Sequence, residues 1–102
     1  MEADTRPGGP IPLDDIRAAR ARIAGSAVRT PLVRLNVEDA SAAIYLKLEN
    51  LQPIGSFKIR GAGNAMASAA PETLAHGVYT ASAGNMAQGV AWNARRLGIP
   101  CT

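Results

Sequence analysis

A change of rhythm along the chain constrains its fold more than any other feature. In residues 43–49, AIYLKLE, apolar and polar side chains alternate, with Ile44, Leu46 and Leu48 on one side. That period of two predicts a half-buried strand. Past the turn-forming NLQPIG the spacing becomes helical, and Ser56 offers a hydroxyl to cap a helix running to about residue 69. The rhythm then repeats. GVYTA, residues 77–81, is a second strand, and SAGN opens a helix in which Met86, Val90, Ala94 and Leu97 share a side. Arg95, Arg96 and Gly98 mark that helix's end, and IPCT begins a further strand. Such alternation predicts an α/β fold with parallel strands, flanking helices and right-handed crossovers.

Ahead of this region the pattern is simpler. Residues 1–12, with two glycines and three prolines, are expected to form a flexible arm. Ile16, Ala19 and Ile23 recur at helical spacing, so a helix is expected over about residues 13–24, with Gly25 as its stop. RTPLVRL reads as an extended piece, because Pro31 disfavours helix at Thr30.

The chain's 102 residues allow one small core, and 47% hydrophobic with 19% charged residues fits a globular protein. The net charge of +3 draws on Arg17, Arg20, Arg22, Arg29 and Arg34. No aromatic residue is interleaved with them, which argues against a nucleic-acid surface. Asp14 and Asp15 near one helix end and arginines near the other suit a solvated helix. One cysteine, Cys101, permits no internal disulfide. A reducing, cytoplasmic setting is therefore expected, with no membrane span and no signal peptide. The abrupt end after IPCT leads us to expect the N-terminal piece of a longer protein.

In open α/β sheets ligands gather where strands hand over to helix N-termini. Two turns occupy that position: GSFKIRGAG and SAGNMAQG. A dinucleotide loop would need a glycine where Met66 stands, and Gly61 and Gly63 fall inside the helix. Lys58 is more informative. With Phe57 and Ile59 beside it restricting water, its amine could condense with a carbonyl-bearing cofactor; taken alone, a first-turn lysine in solvent is the plainer reading. In SAGN, small residues admit close approach to the backbone, and Ser82 with the first-turn amides of Asn85 and Met86 makes a carboxylate-sized nest. A plain N-cap would need the same residues. An amine and a nest on consecutive turns point jointly to a site.

SFKIRGA (residues 56–62) and SAGNMAQG (residues 82–89) together resemble the cofactor-lysine motif and asparagine loop of fold type II pyridoxal-phosphate enzymes, a tryptophan synthase β-like fold. Within that group the chain looks most like the threonine/serine dehydratases (threonine ammonia-lyases), with serine racemases close by. LDDIRAARARI, RTPLVRL, YLKLENLQ and RRLGIP fall in the same order. The resemblance implies pyridoxal phosphate as cofactor and a small hydroxy amino acid as substrate, with assembly of the full-length protein into a homo-oligomer. Lys58 would bind the cofactor covalently as a Schiff base and move the proton at the substrate Cα. Phe57 would pack beside the cofactor and Asn85 would bond its 3′-oxygen. Ser82, Ala83, Gly84, Asn85 and Met86 would hold the substrate carboxylate. Two domains are implied, residues 13–76 in the larger, cofactor-lysine domain and residues 77–102 opening the smaller one.

Departures sharpen the expectation. Met86 stands where many relatives place histidine, and Ile54 where many place threonine; neither removes a backbone donor. Racemases carry a proton-transferring serine where this chain has Ala83, so elimination is favoured over racemisation. Ile59 replaces the aspartate usual in cysteine and threonine synthases. The glycine-rich phosphate loop and the pyridine-nitrogen partner lie outside these 102 residues, so the piece alone is expected to be inactive. A racemase, another β-elimination enzyme or a non-catalytic binding fragment are the alternatives. His76 has no second ligand candidate for a metal. Trp92 is expected at a helix edge, and Lys47 and Glu49 on a solvated strand face.

Overall fold

The computed structural model describes residues 8–102; the first seven residues of the expected arm lie outside the described part. Helix α1, Leu13–Arg22, follows Pro12, whose carbonyl accepts the N–H groups of Asp15 and Ile16 at 3.1 and 3.3 Å. Asp14 and Asp15 occupy its first turn and Arg20 and Arg22 its last, matching charge to the helix dipole. It stops before Gly25 is reached: Ile23 turns the chain, and its carbonyl accepts both Ser26 and Ala27 N–H at 2.9 Å. Of the apolar stripe Ile16, Ala19 and Ile23, Ile23 is buried while Ile16 is open to solvent.

RTPLVRL and YLKLE pair with each other. Strand β1, Leu32–Arg34, runs antiparallel to β2, Tyr45–Lys47, with Val33 opposite Leu46. Residues 35–44 simply return the chain, and a parallel pairing would have needed a crossover. The expected half-buried face is absent: every residue of both strands is exposed. Parallel pairing is found further on, where Val78 bridges Cys101. Val78 N–H donates to the Pro100 carbonyl at 2.9 Å and Thr102 N–H to the Val78 carbonyl at 3.0 Å. GVYTA and IPCT are thus adjacent extended segments joined through a helix, as their rhythm predicts. Gly77 sits at φ +90°, and a Cβ there would lie 2.7 Å from the Pro100 carbonyl oxygen, so no other residue suits this start.

A 3-10 turn at Glu49–Leu51 leads into α2, Lys58–Ser68; α3, Pro71–Leu74, is a single turn begun by proline at its first position. Helix α4, Asn85–Leu97, ends at Gly98 with Arg95 and Arg96 in its last turn, as the sequence indicates. The core is the seam between α2 and α4. Ile59, Ala62, Gly63 and Met66 of α2 are buried against Gly89, Asn93 and Ala94 of α4. The α/β class holds, with this helix pair rather than a sheet at its centre. Among the described residues, no helix is long and apolar enough to cross a membrane.

Candidate functional site

Lys58 is the first residue of α2. The residue before it, Phe57, takes the N-cap position without any side-chain bond, and Ser56 does not cap. The Ser56 hydroxyl is buried with no hydrogen-bond partner among the described residues, directly preceding the Phe57–Lys58 pair. Phe57 and Ile59 do not wall the lysine in symmetrically. Ile59 is fully buried in the seam, whereas Phe57 is 59% exposed with its ring centroid 5.2 Å from the Lys58 ammonium. That is within reach of a cation–π contact, and Lys58 as a whole is half-buried at the helix end.

The second turn is arranged as an open helix start. Gly84 N–H donates to the Ser82 hydroxyl at 3.2 Å, so this amide is not free to serve a ligand. The first backbone bond of α4 runs from Gln88 N–H to the Gly84 carbonyl at 3.2 Å. The N–H groups of Asn85, Met86 and Ala87 therefore point out of the helix end with no backbone acceptor among the described residues. Ser82, having accepted from Gly84, keeps its own hydrogen to donate. Ser82, Ala83 and the Asn85 side chain are exposed, and Gly84 and Met86 are half-buried.

Main-chain packing ties the two turns together. A Cβ on Gly89 would stand 3.0 Å from the Lys58 carbonyl oxygen and 3.1 Å from its carbon; only hydrogen fits. Gly89 lies one turn, about 6 Å along the axis, beyond Asn85. The seam then advances in step. Ala62 also meets Gly89, while Ile59 and Gly63 meet Asn93, and Met66 lines a cavity with Leu97. The two helices therefore run in the same sense and open their N-termini at the same end. Sequence reasoning gave neither Gly89 nor Asn93 a role. Asn93 is fully buried: its amide donates to the carbonyls of Ile59 at 3.3 Å and Gly89 at 2.8 Å, and its oxygen accepts from Ser26 Oγ at 2.7 Å. A polar residue on the apolar stripe of α4 was the available signal.

The solvated reading of Glu49 is overturned. Its side chain is 16% exposed and accepts from Arg60 Nη2 at 2.7 Å and from Arg60 Nε at 3.1 Å to each oxygen. Thr30 Oγ1 adds a bond at 3.0 Å and Gln52 Nε2 one at 2.9 Å. Gln52 in turn brackets Val28, accepting from its N–H and donating to its carbonyl, both at 2.8 Å. Arg60 foremost, with Gln52 and Thr30, holds the Glu49 carboxyl down to about 2 against the opposing effect of burial. Lys47 donates to the Thr30 carbonyl. Trp92 lies at the rim of α4, 38% exposed, and His76 and Cys101 are surface residues. Among the described residues no cluster of His, Cys, Asp and Glu could hold a metal ion.

The donor set suits a ligand that joins an aldehyde to anionic oxygens: one primary amine, one free carboxamide, one hydroxyl and open N–H groups at a shared end. Comparisons with known proteins give the chain its family. A family model described as pyridoxal-phosphate dependent enzyme matches residues 23–102. An L-threonine ammonia-lyase of Thermotoga maritima is 49% identical over 94 residues, 90% of this chain and 23% of that protein. Maize serine racemase superposes with a TM-score of 0.80 at 42% identity, covering 87% of this chain and 29% of that one. The threonine deaminase of T.th. superposes with a TM-score of 0.77 at 39% identity, covering 88% and 32%. The chain thus spans about a quarter to a third of the length of these relatives.

Proposed function

Because this chain belongs to the family of pyridoxal-phosphate dependent enzymes, we propose that it carries the reactive lysine and the substrate-carboxylate nest of a threonine/serine dehydratase. One observation carries the reading: α2 and α4 run in the same sense, locked at Lys58 and Gly89, so amine and nest open at one end. Pyridoxal phosphate, when bound, supplies an electron sink that lowers the cost of taking the proton from the substrate Cα. Lys58 is the residue whose amine would hold the cofactor's aldehyde, and as a free amine it would accept the substrate's Cα proton. Asn85 would offer its amide to the cofactor's ring oxygen, and Phe57 would cover the amine from the side. Ser82 and the N–H groups of Asn85 and Met86 grip the carboxylate and so fix which Cα bond faces Lys58. Loss of the β-hydroxyl as water, followed by hydrolysis, releases ammonia and leaves 2-oxobutanoate from threonine or pyruvate from serine. On this reading residues 13–76 belong to the larger domain and 77–102 open the smaller, so the α2–α4 seam is where the two meet.

A racemase is the second reading, favoured by the fit to maize serine racemase. Ala83 weighs against it, because a methyl group cannot return a proton to the opposite face. The test is direct. Borohydride reduction of the cofactor-loaded full-length protein should fix the cofactor on Lys58, and Lys58→Ala should abolish both the adduct and 2-oxo acid formation. Formation of D-serine faster than pyruvate would overturn the dehydratase reading in favour of the racemase.

A further inference from the structure

The first turn of α2 has one local backbone bond, from Arg60 N–H to the Phe57 carbonyl at 3.0 Å, and no side-chain cap. The Ser56 hydroxyl is unpartnered among the described residues, so what fixes Lys58 relative to α4 is tertiary. One brace is the contact of its carbonyl with Gly89. A van der Waals contact on one side stops translation but permits rocking. The opposite side is gripped by Arg60, two residues on and about 200° around the helix axis from Lys58. Its guanidinium reaches Glu49 with three short contacts between 2.7 and 3.1 Å, and Nη2 also donates to the Val28 carbonyl at 3.2 Å.

Resting on the functional reading above, we infer that the Glu49–Arg60 pair is a positioning device for Lys58, clamping the first turn of α2 so that the amine stays aimed at the end shared with the α4 nest. The planar fork restrains angle as well as distance, which a lysine ammonium would not do. Glu49 is itself immobilised, since Thr30 and Gln52 occupy its remaining acceptor sites and Gln52 is fastened to both polar groups of Val28. The clamp therefore ends on backbone and not on a free side chain. With its carboxyl held near 2, Glu49 stays charged throughout neutral pH. Neither residue is assigned contact with the reacting atoms; both act through Lys58.

The experiment compares the cofactor-loaded full-length protein as wild type, Glu49→Gln and Arg60→Lys, with Arg22→Ala as control. Arg22 also ties α1 to α2, through Asn64 at 3.2 Å, but away from the first turn. Three quantities are read: thermal unfolding, kcat and KM for threonine, and the visible absorption of the loaded protein with the yield of borohydride adduct at Lys58. Glu49→Gln and Arg60→Lys should lower kcat by about tenfold or more with KM within about twofold, the pattern of a misaimed group. They should also shift the absorption band and slow trapping. Arg22→Ala should leave these readouts at wild-type values whatever its melting temperature. Should Glu49→Gln fail to fold, Arg60→Lys, which keeps the charge and the aliphatic stem, carries the comparison. Variants that melt lower yet keep wild-type kcat, absorption and trapping would reduce the pair to scaffolding and overturn the inference. A wild-type protein without any adduct at Lys58 would overturn the functional reading itself, and this inference with it.

Discussion

The seam between α2 and α4 and the ribbon of β1 and β2 are built on opposite terms. In the seam, seven residues of two helices are buried and a fully enclosed asparagine bonds across it. In the ribbon all six residues are exposed, and backbone hydrogen bonds such as Leu35 N–H to the Ile44 carbonyl at 2.8 Å are the visible restraint. Apolar burial dominates stability, and a two-stranded ribbon alone is marginal in water. The candidate site sits on the seam, where position is set by close packing. Glu49 stands between the two regions, receiving the ribbon on one side and holding α2 on the other.

That contrast can be broken in graded steps. Asn93→Ala should cost most, about 3 kcal/mol in denaturant unfolding, because it strands the Ser26 hydroxyl and opens a hole at a fully buried position. Acid should come next. Glu49 is depressed from 4.5 to about 2 in the folded chain, chiefly by Arg60. Its stabilisation is therefore complete above pH 4.5 and lost as pH falls from there toward 2, amounting to roughly 2 kcal/mol after allowance for partial solvent contact. A pH titration of unfolding in Glu49→Gln should lack that step. Gly89→Val should cost about 1.5 kcal/mol by forcing α4 off the Lys58 carbonyl, and should lower borohydride trapping at Lys58 along with stability. Least affected should be Leu32→Ser on the open ribbon, 64% exposed, at under about 0.5 kcal/mol. If Leu32→Ser proved as damaging as Asn93→Ala in the same unfolding series, the division of labour between seam and ribbon would fail.

Helices α1, α2 and α4 were legible because periodicity, charge placement and Gly98 all act locally, whereas the single turn α3 was not read. Parallel adjacency of the 78 and 101 segments followed from the strand–helix–strand rhythm. The pairing of β1 with β2 was not legible, since nothing in RTPLVRL announces its partner and alternation does not say whether a face is covered. Ser56 failed as a cap for a related reason: a capping residue type is necessary for that bond, but the path of the chain decides where the hydroxyl goes. Glu49 looked solvated by its place on a strand face, whereas the partners that enclose it are residues 30, 52 and 60. The site motifs were recognisable as a pair. The braces behind them were not, because Gly89 acts by what it lacks and Asn93 by contacts spanning 67 residues of sequence.

Position 58 divides its labour between two parts of one residue. The brace against Gly89 is made by the carbonyl group, while the amine belongs to the side chain. The end proposed to be reactive can be erased, extended or chemically tagged without withdrawing the atom on which the neighbouring helix rests. Chemistry at this point is detachable from architecture, and the glycine opposite, though inert, is the less replaceable of the two.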